Sequence, residues 1–119
     1  MTVAKDAVSA TSATGVASLT LAGFTVANQP NRALYAFAGN ASGAGHTTFT
    51  AFTWAGGAMT ALTSFPHGTF HRLGVARLTN PSSLTSSVTV TFGGTVDEAF
   101  LSVLSVYNVF KLVEFVAFY

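Results

Sequence analysis

Charged side chains are scarce in this chain of 119 residues, which has five Lys or Arg and four Asp or Glu residues. A soluble domain of this length ordinarily carries about 30 charged residues. So few charges cannot cover the roughly 6,100 Å² that a folded monomer of this size exposes to solvent. Small polar and apolar groups therefore form most of the surface, which favours burial against neighbouring subunits.

Cysteine is absent, which excludes a disulfide framework, a thiolate zinc site and a thiol nucleophile. The formal net charge of +1 provides no basic surface for phosphates, so no nucleic-acid partner is expected. Aromatic residues make up 13% of the chain. Together with the low net charge, they indicate a folded protein rather than a disordered one.

Neither end of the chain predicts secretion or membrane insertion. No apolar stretch of signal-peptide length follows Lys5. The apolar C-terminal region is interrupted by Asn108, Lys111 and Glu114, whereas a spanning helix needs about 20 nearly uncharged apolar residues. We therefore expect a protein that is made in the cytoplasm and has no membrane partner.

Short runs rich in Val, Thr and Phe alternate with Gly, Pro and Asn, and no segment has a sustained helical stripe. Eight strands are predicted: Val3–Val8, Val16–Val26, Arg32–Ala38, Thr47–Trp54, Ala58–Phe65, Thr69–Thr79, Ser87–Phe92 and Glu98–Tyr107. This spacing predicts an all-β fold, an antiparallel β-sandwich of jelly-roll type with about 8–9 strands. We assign residues 1–109 to this domain and residues 110–119 to an apolar C-terminal strand or arm.

Glycine and proline mark the predicted connections between these strands. Gly39–Gly45 is predicted to be a loop, and the Gly56-Gly57 and Gly93-Gly94 pairs are predicted to be hairpin turns. The inner faces of the sandwich are expected to pack eight apolar side chains together. These are Leu34, Phe52, Leu62, Leu73, Val75, Val88, Val90 and Phe92.

Four segments in order resemble a known family. They are NRALYAFAG (Asn31–Gly39), FTAFTWAGGAMTAL (Phe49–Leu62), FHRLGVARLTNPSS (Phe70–Ser83) and SVTVTFGGTVDEAFLSVLSVYNV (Ser87–Val109). The pattern is similar to a small, jelly-roll-like β-sandwich domain that recurs in bacteriophage structural proteins and in secreted bacterial multidomain proteins. This resemblance implies a display or binding role with no catalytic residues, as in a phage capsid decoration (cement) protein. The chain continues ten residues past the usual end of that family.

Catalytic, metal and cofactor sites are not predicted. His67 and His71 would lie about 13 Å apart along one strand, too far for one zinc ion unless a turn brings them together; the third histidine is His46. Asp97 and Glu98 are adjacent and would point to opposite faces of a strand, so they cannot form a facing carboxylate pair. No nucleophile elbow or phosphate loop is present. We expect a protein that is not an enzyme.

Several residues are candidates for an interface instead. Both faces of Arg32–Ala38 are apolar, as in a strand at a subunit contact. The arginines are few enough that each is expected to have a specific partner, preferably a carboxylate held in a planar, bidentate pair. The interface candidates are Arg32, Tyr35, Phe37, Arg72, Arg77, Phe110, Leu112, Phe115, Phe118 and Tyr119.

Aromatic residues leave a different class of function open, because they could form a platform on which a sugar ring stacks. The candidates are Tyr35, Phe49, Phe52, Trp54, Phe65 and Phe70. Core packing is the more ordinary role for phenylalanine, whereas Trp54, beside a hairpin tip, is the candidate for ligand stacking.

The segment Phe110–Tyr119 has only Lys111 and Glu114 among large apolar side chains. Leaving such a segment in water forfeits several kcal/mol, since burying each large apolar side chain contributes roughly 1.5–3 kcal/mol. Either it completes the sheet of its own subunit, or it is an arm that adds to the sheet edge of a neighbour.

These observations predict a bacteriophage virion protein, most directly a capsid decoration protein that stabilises the assembled shell. Its expected partners are copies of itself, with a trimer preferred by analogy with cement proteins, and the major capsid protein or other virion proteins. A tail or head-fibre component belongs to the same class. The alternative is a carbohydrate-binding or adhesive β-sandwich module.

Overall fold

Seven antiparallel strands and no helix make up residues 2–109, which are the residues that the computed structural model describes. The strands are β1 (Ala4–Thr25), β2 (Ala33–Ala41), β3 (Phe49–Trp54), β4 (Gly57–Ala58), β5 (Thr60–His67), β6 (His71–Thr79) and β7 (Thr85–Tyr107). The prediction of an all-β antiparallel fold is confirmed, with seven strands in this region instead of eight. In the described part of the chain, no helix is long and apolar enough to cross a membrane.

β7 is the strand around which the sheet is built. Along one edge it pairs with β1 over nearly its whole length, from Thr85 to Tyr107. On its other edge, the residues from Val88 to Phe92 pair with β3, and those from Glu98 to Val106 pair with β2. β6 follows β2, and β5 follows β6, so the order is β4-β3-β7-β2-β6-β5 with β1 beside β7.

The sheet bends where β7 passes from β3 to β2. Between the pairs Val16↔Val96 and Ser18↔Thr91, two steps along β1 correspond to five along β7, so β7 carries an irregularity there. This divides the sheet into a smaller half around β3 and a five-stranded half formed by β1, β7, β2, β6 and β5. The hairpin from β3 through β4 leads into β5, which makes the sheet nearly closed and barrel-like. The jelly-roll type of β-sandwich stays a prediction.

The core lies between the two halves. Its buried side chains come from both, with Leu19, Phe52 and Val90 from the smaller half and Leu34 and Leu101 from the five-stranded half. Trp54 also belongs to this core, where it meets the edge of the Phe24 ring. Bulges and pairing over the full length of β1 and β7 therefore let one sheet enclose a single hydrophobic core.

Two predicted connections are wrong. The small-residue segment after Val8 is part of β1, and Gly93-Gly94 is part of β7 instead of a hairpin turn. Neither glycine has a positive φ. Gly93 N–H donates to the carbonyl of Thr48 (2.9 Å), and a Cβ atom at residue 93 would lie 2.9 Å from Thr47 Oγ1. Close approach of another backbone is what that glycine permits.

The Gly56-Gly57 hairpin exists, but its turn lies one residue earlier. Trp54 pairs with Gly57, so the two turn residues are Ala55 and Gly56, with φ of 50° and 81°. Positive φ at both central residues is the type I′ geometry that matches the twist of a two-residue hairpin. The predicted loop Gly39–Gly45 begins later than expected, since β2 continues to Ala41.

The predicted core is confirmed for Leu34, Phe52, Val88, Val90 and Phe92, all of which are buried. It is wrong for Leu62 and Leu73, which are exposed, and for Val75, which pairs with the outward-facing Phe37. Leu62 is 45% exposed and Leu73 is 37% exposed, and Val75 is half-buried. The reason lies in β6, whose smaller residues, Gly74 and Ala76, face the core instead.

Candidate functional site: an apolar outer sheet face

The five-stranded half has two different faces. Along β2, the side chains of Leu34, Ala36 and Ala38 point inward and are at most 1% exposed, whereas Tyr35 and Phe37 point outward. Residues that pair across antiparallel strands share a face. The pairing registers therefore extend the outward side over β1, β7, β6 and β5.

This outer face carries a large share of the exposed apolar side chains. Five large hydrophobic residues on it are between 37% and 56% exposed: Val8, Phe37, Phe65, Leu73 and Phe100. Three further ones are half-buried: Tyr35, Val75 and Leu104. They lie on five adjacent strands, so they form one continuous surface, which we call the outer face. A contiguous apolar patch of this kind on a protein surface commonly marks a site of contact with another molecule.

Packing against β3 explains why β6 turns its large residues outward. The ring of Phe49 lies against Gly74, and a Cβ atom at residue 74 would lie 2.7 Å from Phe49 Cε2. Phe49 in turn packs on the rings of Phe52 and Phe92, with centroids 5.5 and 5.8 Å away. Because these three rings fill the space under Gly74, a larger inward side chain does not fit at that position, and Leu73 is left on the outer face.

A cleft of about 560 Å³ opens at one end of the outer face. Its floor includes the small residues Ser12, Gly39 and Ala41, and its apolar walls are Leu73 and Phe100. A Cβ atom at residue 39 would collide with the Phe100 ring, so the ring leans over Gly39. The cleft can therefore accept one bulky apolar group beside an aromatic ring.

Charge on the outer face is limited to its two ends. Glu98 pairs with Ala41 of β2 at the cleft end and is exposed. Arg77 pairs with Tyr35 of β2 towards the opposite end and is half-buried. Arg77 makes no side-chain hydrogen bond to another of the residues 2–109. The outer face thus has an apolar centre, with Lys5 and Arg77 at one end and Glu98, beside Arg72 in the cleft lining, at the other.

The other two predicted interface arginines bind within the subunit. Arg32 donates from Nε to the carbonyl of Pro81 (2.6 Å) and from a terminal nitrogen to the carbonyl of Gln29 (3.1 Å). Arg72 donates to His46 Nδ1 (3.3 Å) and to Ser64 Oγ (3.0 Å). Each arginine closes a connection between strands, and neither has a carboxylate partner among these hydrogen bonds.

Asp6 and Asp97, the other carboxylates of residues 2–109, have structural contacts. Asp6 Oδ2 accepts hydrogen bonds from the backbone N–H of Ala27 (3.0 Å) and from Ser105 Oγ (2.6 Å). Asp97 Oδ2 accepts from the backbone N–H of Gly43 (2.6 Å) and thereby holds the loop that follows β2. These contacts explain two of the few charges as parts of the fold.

Trp54 does not present a ring face to a ligand in this structure. It is 2% exposed, and its indole N–H donates to the carbonyl of Ser82 (3.3 Å). The exposed aromatic residues are instead Phe37, Phe65 and Phe100 on the outer face and Phe70 outside it. Among residues 2–109, these exposed rings are therefore the better candidates for ring stacking.

The histidines are not assembled into a metal site. His67 and His71 face each other across β5 and β6 with ring centroids 6.4 Å apart, closer than a single strand would place them. Within residues 2–109, no group of three His, Cys, Asp or Glu residues is arranged to hold a metal ion.

The C-terminal candidates Phe110, Leu112, Phe115, Phe118 and Tyr119 lie outside the described residues. Val8, Leu73 and Phe100 were not predicted as site residues, and Phe65 was predicted only as a candidate for a stacking platform. The sequence does contain a sign of them, because some strands have large apolar residues on both of their alternating faces. In β7, Phe100 and Leu104 lie on one face, and Leu101 and Val103 lie on the other. Assigning them to one face requires the pairing registers.

Comparison with known proteins identifies no relative: no protein-family model, no curated protein and no solved structure matches this chain. The likeness to phage structural domains therefore rests on the sequence segments alone.

Proposed function

We propose that this protein is a non-enzymatic structural protein of a bacteriophage virion, most directly a capsid decoration protein with a jelly-roll β-sandwich fold. The observation that carries the proposal is the outer face, where five strands expose Phe37, Leu73, Phe100 and their apolar neighbours together. The small number of charges in the sequence and the segments that resemble phage structural domains support it further.

Decoration works by preferential binding to an assembled surface. A protein that binds the shell better than free subunits stabilises the shell by mass action. The outer face supplies apolar area for contacts within such an assembly, since burying a large apolar side chain fully contributes roughly 1.5–3 kcal/mol. The protein is made in the host cytoplasm, joins the major capsid protein or other virion proteins, and forms a homo-oligomer, for which cement proteins suggest a trimer.

The first test is the position of the gene and the binding that follows from it. We expect a major capsid protein to be encoded nearby, and we expect this protein to co-sediment with shells assembled from that protein but not with its free subunits. Phe37→Ser should weaken co-sedimentation, whereas Leu62→Ser, which changes an exposed leucine at the β5 bulge in the groove lined by Phe49 and Met59, should not. Equal binding to shells and free subunits would contradict a decoration role.

The cleft favours one alternative, a carbohydrate-binding or adhesive module. Phe100 forms one wall, and Glu98 also lines the cleft, so an aromatic ring and a carboxylate lie together. A glycan array separates the two functions. Reproducible binding of one glycan that Phe100→Ala abolishes would favour the adhesive module over the virion protein. A tail or head-fibre component would bind virions at the tail or vertices instead of the whole shell.

A further inference from the structure

We propose that the outer face is self-complementary and binds the outer face of a second copy of this chain, forming a two-fold symmetric dimer. The inference rests on the proposed function, and it assigns the outer face to one second copy, so that the oligomer is a dimer instead of the trimer that cement proteins suggest. Three features of the described residues support a second copy: the size of the face, the placement of Arg77 and Glu98, and the position of Phe100 relative to Phe37.

The size of the outer face matches what a specific dimer needs. Five strands at a spacing of about 4.8 Å give a width of about 24 Å, and the eight steps from Glu98 to Val106 give a length of about 27 Å. The flat projection is therefore about 650 Å², on the scale of the roughly 800 Å² that each partner contributes to a standard interface. Its centre is apolar and its ends are charged, as in ordinary interfaces.

Arg77 and Glu98 are complementary only between copies. Arg77 and Glu98 lie on β6 and β7, which flank β2, and their partners on β2 are Tyr35 and Ala41. The two Cα atoms are thus separated by two strand spacings and six residues along β2, about 22 Å in all. This distance excludes an ion pair within one subunit.

A two-fold axis halfway between these charges brings them together across the contact. It lies parallel to the outer face, between the two copies, and crosses over β2 between Phe37 and Gly39, near the centre of the face. Rotation about it places Arg77 of each copy opposite Glu98 of the partner subunit, so one axis forms two ion pairs. Such pairs fix the register of an apolar contact more than they add affinity.

The same axis fits the shape of the face. Because Phe37 and Gly39 lie on opposite sides of the axis, rotation places Phe37 of one copy against the Phe100 ring that covers Gly39 of the other. That position is the edge of the cleft, which Phe100 lines. A ring from one subunit therefore packs on a ring of the other beside the cleft, twice per dimer. A contact of this isologous kind closes at two copies.

A charge exchange tests this contact with the full-length chain. Sedimentation equilibrium at micromolar concentration should show a dimer. Arg77→Glu alone and Glu98→Arg alone should each raise the dissociation constant by on the order of tenfold to a hundredfold, because like charges then face each other. The double variant should return to near the original value. An equimolar mixture of the two single variants should also dimerise, since both pairs are opposite in charge again.

Phe37→Ser should weaken the dimer as well, whereas the control Leu62→Ser should leave it unchanged. Circular dichroism and thermal unfolding of every variant distinguish a lost contact from a lost fold. A monomeric or trimeric wild type, or single charge variants that dimerise normally, would overturn the inference, as would a double variant that fails to recover while folded. A folded monomer that still binds shells would overturn the dimer and leave the proposed function standing.

Discussion

The two faces of the five-stranded half are made by alternate residues of the same strands. They differ in side-chain size, but the larger side chains are on the exposed face and not on the buried one. On β7, Leu101 points inward and is fully buried, while Phe100 points outward and is 44% exposed. On β2, Ala36 and Ala38 point inward, and Phe37 points outward. The larger residue of each neighbouring pair therefore lies outside. Available space, set by the opposite half of the sheet, decides what is buried, and hydrophobicity alone does not.

The largest expected effect comes from deleting side-chain volume on the inner face. Leu101→Ala should lower the free energy of unfolding by about 2–5 kcal/mol, because Leu101 is fully buried in the central strand and a cavity would remain. Leu73→Ala, the same change on the outer face, should cost about 1 kcal/mol or less, since Leu73 is 37% exposed. Urea denaturation of both variants measures the difference. Equal losses would show that the outer face is as important to the fold as the core.

A smaller effect is expected from adding one methyl group to each face. Gly74→Ala should cost about 1–3 kcal/mol, because the new Cβ would press on the Phe49 ring, which is held between Phe52 and Phe92. Gly39→Ala should cost less in denaturation experiments, since the exposed Phe100 ring can rotate away from residue 39.

Gly94→Ala is the matched control for this pair. No atom lies within 4 Å of a Cβ at residue 94, and its backbone does not have a positive φ. Glycine inside a strand is generally less stable than alanine by roughly 0.5–1 kcal/mol. The Gly94→Ala variant should therefore be as stable as the wild type or slightly more stable. If Gly74→Ala were also stabilised, the tight packing of Phe49 on β6 would be refuted.

The fold class could be predicted from the sequence because alternation and turn residues are local signals. The segment Ser87–Phe92 alternates Val with Thr, and both its strand and its buried face are found as predicted. The face of β6 could not be predicted in the same way. Both of its parities contain apolar residues, Leu73 and Val75 on one and Ala76 and Leu78 on the other. The choice depends on Phe49, which is distant in sequence.

The Gly93-Gly94 pair shows that the connections between strands, too, could not all be predicted from local sequence. Two consecutive glycines between strands ordinarily indicate a hairpin, but here β1 and β7 continue together past them. The deciding contact is the hydrogen bond from Gly93 N–H to the Thr48 carbonyl, which a local sequence pattern does not contain. Long-range pairing thus overrides a strong local turn signal.

The candidate site was predictable in part. The two apolar faces of Arg32–Ala38 indicated that Tyr35 and Phe37 lie outside a single core, and their rings are stacked on the outer face with centroids 6.4 Å apart. Phe100 and Glu98 join them only through the pairing of β7 with β2. The composition predicts that some apolar surface is buried in a contact with another molecule. The strand registers identify the outer face as the candidate for that surface.

The smallest expected change in stability comes from the β3–β4 turn. Because this turn belongs to neither face, a substitution there can change the stability of the fold without changing assembly. Ala55 has a φ of 50°, a conformation that costs a residue with a Cβ atom roughly 1–2 kcal/mol. Asparagine followed by glycine is a preferred pair in this turn type, so Ala55→Asn should stabilise the fold by about 1 kcal/mol in urea denaturation. Ala58→Asn, an exposed strand position, should give no gain, because asparagine is depleted in strands. Since residue 55 is remote from the outer face, Ala55→Asn should leave the dimer dissociation constant unchanged. A change in that constant would mean that the contact surface extends beyond the five-stranded half.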